Sequence, residues 1–185
     1  MNINWVLADS ASIGPEVDLS KLKGIGSFWG GWRSWRACQT DNVICYDQAK
    51  ASELIKRKFY EGCNFYIPNS VYQSLDRPDK VRIFEGEFLH ELDHYDEIIA
   101  MHLAAGSSDI ILMLGFDLSE PIIHADKLAE HRAFNYRALI KQVIMDNDHI
   151  QWVLVDHPDL IMKEMSNLEN LSSDIMDTVL TLSSS

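Results

Sequence analysis

The feature that most constrains the fold is an unbroken apolar run in the middle of the chain, Ile110–Leu114. A polar residue precedes it, and glycine, phenylalanine and Asp117 follow it. An apolar run this short, bounded by polar residues and glycine, is typical of a strand that is buried on both faces. The preceding residues, 95–105, have a helical pattern that ends at Gly106, where a helix C-cap is expected. This segment therefore predicts half of a doubly wound α/β unit.

The same alternation of strand-like and helix-like patterns runs along the rest of the chain. Several strand segments lack the polar alternation of a half-exposed sheet, which favours a mostly parallel sheet covered by helices on both faces. We expect an α/β, Rossmann-like fold in a single domain, 1–185, because no repeat or low-complexity linker interrupts the pattern. The predicted strands are 4–8, 25–29, 42–46, 64–67, 81–84, 110–114 and 152–155, and the predicted helices are 48–60, 95–105, 125–147 and a C-terminal helical segment, 160–182.

The composition excludes some classes of function. The chain has 185 residues, 46% of them hydrophobic, and a net charge of −12. This acidic balance argues against general nucleic-acid binding, because phosphate neutralisation requires a basic surface. No apolar run approaches the roughly 18 residues of a membrane span. Three cysteines without CxxC spacing, and a start without a basic signal region, predict a cytoplasmic protein.

Polar residues or glycines follow nearly every predicted strand. In a parallel sheet these positions share one edge, and ligands bind beyond the carboxyl ends of the strands. We therefore predict that Asp117 and His157 are catalytic, with His157 as a general acid or base. The alternative is ordinary loop chemistry, in which the acids cap the helices that follow. The residues predicted to bind a nucleotide are Asp9, Ser10, Ser12, Gly30, Gly31, Arg33, Asp47 and Asn69.

The segment GGWRSWR, 30–36, has the composition most typical of a nucleotide-binding loop. Its two glycines free the backbone, and Arg33 and Arg36 offer forked donors for phosphate. Its two tryptophans offer flat apolar faces. The alternative is that the tryptophans belong to the core and the arginines pair with nearby acids.

A second, different chemistry is indicated by the HELDH segment. His90 and His94 would lie one turn apart on a helix and could bind zinc, with Glu91 as the base. This spacing resembles the metal site of peptide deformylases, which also use a Glu-Gly-Cys segment, and Cys63 ends such a segment here. The glycine-rich segment of deformylases is absent, however. The alternative is a polar loop that leads into the acidic first turn of the helix to residue 105.

The segment DEIIAMHLAAGSSDIILMLGFDL, 96–118, resembles the bacterial lipooligosaccharide sialyltransferases and the related motility-accessory-factor and pterin-pyrophosphokinase-like proteins. These share a helix, a glycine, a buried strand and a final G-[FI]-D. The first strand, its small-residue loop and the strand ending near Asp47 are also similar. The resemblance implies a Rossmann-like fold and a nucleotide or nucleotide-sugar over Ser10, Ser12, Gly30, Asp47 and Asp117. It also implies a late histidine as base, for which His157 is the corresponding prediction.

Three functions follow from these patterns. The first is a protein that binds a nucleotide or nucleotide-sugar, with a glycosyltransferase-like transfer as its reaction and no certain cofactor. The second is a zinc-dependent hydrolase that uses His90 and His94. The third is a non-catalytic α/β domain that forms homo-oligomers through its apolar C-terminal helix.

Overall fold

The computed structural model describes residues 1–8, 24–75, 78–85, 95–116, 127–155 and 165–171. These residues form eight strands, five α-helices and one 3₁₀ turn, Phe59–Glu61. The strands are β1 (Ile3–Leu7), β2 (Ser27–Gly31), β3 (Asn42–Ile44), β4 (Asn64–Pro68), β5 (Arg82–Phe84), β6 (Ile110–Leu114), β7 (Gln151–Val155) and β8 (Leu168–Leu171). The helices are α1 (Trp32–Cys38), α2 (Gln48–Lys56), α3 (Asn69–Ser74), α4 (Asp96–Ala105) and α5 (Lys127–Asp146).

All eight strands join one sheet in the order β5-β4-β3-β2-β1-β6-β7-β8. Every pair of neighbouring strands in this sheet is parallel. The chain builds outwards from β1 to β5 on one side, then crosses back and builds from β6 to β8 on the other. This confirms the predicted α/β fold, and its arrangement is consistent with a Rossmann-like architecture.

The sheet is buried on both faces, as the apolar runs predict. On one face, α4 and α5 pack over a cluster that includes Val6, Met113 and Trp152, all fully buried. On the other face, α1, α2 and α3 pack over β3 and β4, where Phe65 is fully buried. A further cluster on that second face lies over the middle of the sheet and includes Trp5 and Leu7. Alternate residues of one strand thus enter opposite clusters, which explains why the central strands lack a regular alternation of polar and apolar residues.

Two sequence predictions are wrong in their secondary structure. The GGWRSWR segment is not a loop, because Gly30 and Gly31 complete β2 and Trp32 begins α1 directly. Within the predicted C-terminal helical segment 160–182, residues Leu168–Leu171 form β8, so the strand 152–155 is not the last. A segment this short is compatible with the residue pattern of a helix or of a strand. Here it forms a strand because its backbone pairs with that of β7. In the described part of the chain, none of the helices has both the length and the apolar character needed to cross a bilayer.

Candidate functional site

The parallel sheet brings the carboxyl ends of all its strands to one edge. The order of the strands reverses at β1, which lies between β2 and β6. At such a switch point the connections leave in opposite directions, so a crevice opens beyond the strand ends. The backbone N–H of Ala8 donates to the carbonyl of Leu114 at 2.9 Å, which holds the ends of β1 and β6 together. This edge is the candidate site.

Helix α1 is anchored to the end of β1 by one buried hydroxyl. Ser34 Oγ lies 3.1 Å from the carbonyl oxygen of Leu7 and 2.8 Å from that of Ala8. A Cβ on Gly30 would lie only 3.0 Å from the Cβ of Ser34. Gly30 therefore has a packing reason to be glycine, since it lets α1 approach the first strand.

We expect Ser34→Ala to lower the free energy of unfolding by about 1–2 kcal/mol, because it removes a buried hydrogen-bonded hydroxyl. Urea denaturation measures this change. Ser70→Ala is the matched control, because Ser70 is an exposed helical serine. Equal effects of the two substitutions would contradict the anchoring role of Ser34.

The second glycine makes room for an acid from a distant part of the chain. A Cβ on Gly31 would lie 2.8 Å from the Cβ of Asp96, the first residue of α4. The backbone N–H of Tyr46, just beyond β3, donates to Asp96 Oδ1 at 3.0 Å. Asp96 thus lies against the carboxyl ends of both β2 and β3.

The environment of Asp96 changes its acidity. Burial is the main cause that raises the pKa of its carboxyl from 3.8 to about 7. The charges of Glu97 and Asp47 raise this pKa further. The hydrogen bond from Tyr46 and the charge of Arg33 act in the opposite direction. Asp96 therefore gains and loses its proton near neutral pH, as an acid–base group at a functional site would.

Two cations lie close to the ring of Trp32, the first residue of α1. Arg33 Cζ is 5.5 Å from the ring centre of Trp32, and Lys50 Nζ is 4.4 Å from the same centre. Lys50 also pairs with Glu53 at 2.7 Å. Acids lie close to both cations, since Asp47 caps α2 at Lys50 and Arg33 interacts with the charge of Asp96. Both tryptophans of α1 pack partly buried against the cluster over β3 and β4, and Trp35 lies edge-on against Phe59.

Asp47 and Asn69 lie at the predicted edge and also have structural roles. Asp47 caps α2, because its Oδ1 accepts from the backbone N–H of Lys50 at 2.6 Å. Asn69 begins α3 and donates from Nδ2 to Glu85 Oε1 at 3.1 Å, which joins the ends of β4 and β5. Asp47 is exposed, so capping leaves part of its carboxylate open to solvent.

Several predicted site residues lie outside the described residues. They are Asp9, Ser10 and Ser12 after β1, Asp117 after β6, His157 after β7, and His90, Glu91 and His94 between β5 and α4. The side chain of Arg36 also lies outside them.

Of the predicted zinc-site residues His90, Glu91, His94 and Cys63, the structure describes Cys63 alone. Cys63 directly precedes β4 and so lies at the amino edge of the sheet. Glu85 and Tyr95, which flank the HELDH segment, lie at the carboxyl edge, after β5 and before α4. Burial raises the pKa of the Cys63 thiol to about 12, which disfavours the thiolate that zinc binds. No group of three metal-binding side chains is present among the described residues.

Sequence reasoning missed Asp96 as a site residue and interpreted it as part of an acidic first helical turn. That interpretation is correct for the helix but not complete, because the contact with Tyr46 joins residues 50 positions apart. The paired glycines 30 and 31 were the available signal. Glycine at two successive positions ending a buried strand indicates that another part of the chain approaches closely.

The chain matches no protein-family model, no curated protein and no solved structure. The resemblance to the sialyltransferase-like families therefore stays a prediction, based on short motifs.

Proposed function

We propose that this chain binds a nucleotide or nucleotide-sugar beyond the carboxyl ends of β1, β2, β3 and β6. The observation that carries this proposal is the switch point at β1, with Asp96 and Arg33 close to it. In doubly wound sheets this is the position where phosphate-bearing ligands bind. The exposed Arg33 guanidinium supplies charge for phosphate, and the Trp32 ring supplies a flat surface.

We propose a glycosyltransferase-like reaction as the chemistry of this site. The bond between the sugar and the donor phosphate breaks, a bond to an acceptor hydroxyl forms, and a base takes the hydroxyl proton. Asp117 and His157 stay the predicted catalytic residues, and Asp96 is a third acid–base group at the same edge. Catalysis would come mainly from positioning and from stabilising the leaving phosphate. A cytoplasmic location and self-association are further parts of this proposal.

A thermal-shift panel with CMP, UDP, GDP, NAD and ATP tests the proposal. A nucleotide at about one hundred times its Kd should raise the melting temperature by about 5 °C or more, because it binds only the folded state. A panel in which no nucleotide changes the melting temperature would contradict it.

We expect Arg33→Ala to weaken binding of the stabilising nucleotide by about tenfold or more, because it removes a charge-assisted contact to phosphate. Isothermal titration calorimetry measures the change. Arg57→Ala is the matched control, because Arg57 is also an exposed arginine, paired with Glu53 at 3.0 Å at the end of α2. Unchanged affinity in the Arg33 variant would mean that the phosphate lies elsewhere.

A further inference from the structure

We propose that Arg137, on α5, binds a phosphate group at the same edge of the sheet. This inference rests on the proposed function and adds a residue from the opposite side of the switch point. It is carried by the position of Arg137 beside α4 and by a buried guanidinium nitrogen that has no partner within the described ranges.

Helices α4 and α5 lie side by side and begin at the same edge. The rings of Tyr95 and Tyr136 are 5.0 Å apart, and Tyr95 directly precedes Asp96. At the other end of the pair, burial lowers the pKa of His102, and the charge of Asp146 opposes that shift. Since Asp146 ends α5, the ring contact at one end and the charge interaction at the other indicate that the helices run in the same direction.

Arg137 is therefore level with the first turn of α4, at the carboxyl edge. It also lies on the inner side of its helix. Ile140 and Ile144 follow it at spacings of three and seven residues, and both are fully buried in the cluster beneath α4 and α5. The Arg137 side chain thus begins on the face of α5 that is turned towards the sheet.

The Nε atom of Arg137 is buried and has no hydrogen-bond partner among the residues that the structure describes. A buried donor on a charged group is costly when it is unpaired, so a natural protein keeps one where something else satisfies it. Nε and a terminal nitrogen form one edge of the guanidinium, and that edge matches two oxygens of a phosphate. A phosphate at this place would lie between the two halves of the sheet.

The test combines ligand binding with the stability of the ligand-free protein. Inorganic phosphate, pyrophosphate and UDP are titrated into the wild type, Arg137→Met, Arg137→Lys and Lys141→Met. Lys141→Met is the control, because it removes a half-buried cation one turn further along the same helix. We expect Arg137→Met and Arg137→Lys to lose about tenfold or more in pyrophosphate affinity, and Lys141→Met to keep it.

The ligand-free Arg137→Met variant should also melt at a higher temperature than the wild type, because a buried donor without a partner has been removed from a half-buried side chain. A lower melting temperature would overturn the inference, since it would show that another part of the chain already pairs with Arg137. Unchanged pyrophosphate affinity would also overturn it.

The probes separate this inference from the proposed function. UDP binding that is insensitive to Arg137 would leave the nucleotide proposal standing and remove the inference. Phosphate and pyrophosphate binding through Arg137, without any nucleotide binding, would leave Arg137 as a phosphate-binding residue and contradict the nucleotide proposal. If none of the three probes binds and no nucleotide of the thermal-shift panel stabilises the protein, both are wrong.

Discussion

Asp96→Asn is expected to be more stable than the wild type at neutral and alkaline pH. The wild-type carboxyl is partly charged at neutral pH and fully charged at alkaline pH, although burial disfavours its charge. Asparagine has nearly the same shape, and its side-chain oxygen can still accept the hydrogen bond from Tyr46. The substitution therefore removes the cost of the charge and keeps the contact.

The sign of the pH dependence follows from the two pKa values of Asp96. In the unfolded chain the carboxyl releases its proton near its ordinary pKa of 3.8, whereas in the folded chain it keeps the proton up to about 7. Between these values the folded state binds more protons, so raising the pH lowers the free energy of unfolding. This loss of stability is absent below the unfolded-state pKa of 3.8 and complete above the folded-state pKa of about 7. Its upper limit is about 4 kcal/mol, at about 1.4 kcal/mol per pH unit.

The measurement is the difference in free energy of unfolding between Asp96→Asn and the wild type, by urea denaturation from about pH 4 to about pH 8. We expect this difference to increase over that range and then to level off. Asp79→Asn is the control, because it removes one exposed carboxylate from the turn before β5. A difference for Asp96→Asn that stays flat over the range would contradict the raised pKa.

A gain in stability on replacing Asp96 would have a functional meaning. Proteins keep destabilising charged groups chiefly where a ligand or a reaction needs them. The nucleotide panel applied to Asp96→Asn tests whether the carboxyl also serves binding. A variant that is more stable but has lost affinity for the nucleotide would place the carboxyl in the binding site.

The central strands could be predicted from sequence because their burial is visible as a local run of apolar residues. Ile110–Leu114 forms β6 with the predicted bounds, and a strand buried on both faces needs apolar residues at every position. Helix α4 was equally predictable, since it begins with two acids and ends at a glycine. The parallel arrangement then followed from the alternation of strands with helices.

The site was less predictable because it depends on contacts between distant parts of the chain. No local pattern shows that Asp96 lies against Gly31, or that Arg137 reaches the level of α4. The composition around Gly30 and Gly31 predicts a nucleotide-binding loop, whereas these glycines end a strand that two other side chains approach closely. Strand β8 was missed for a related reason, because an edge strand of four residues is too short to show its period.

Gly31 offers the strongest test of this close approach. We expect Gly31→Val to lower the free energy of unfolding by about 3 kcal/mol, because overpacking in a buried contact costs this much. Its Cβ would meet the Cβ of Asp96 at 2.8 Å, and both belong to regular structure that cannot move apart freely. Gly62→Val is the control, because a Cβ there would meet nothing closer than the carbonyl oxygen of Phe59 at 3.8 Å.

A double-mutant cycle distinguishes this clash from a general intolerance of β2. Asp96→Gly removes the atom that the new side chain would meet, so Gly31→Val should cost less in the Asp96→Gly background than in the wild type. We expect the two substitutions to be coupled by about 1–2 kcal/mol, measured by urea denaturation of all four proteins. Strict additivity would show that the valine is rejected for another reason, such as contact with α1. Coupling would establish that the missing side chain at Gly31 makes the room that Asp96 occupies, so the end of β2 and the start of α4 together hold a carboxyl at the crevice.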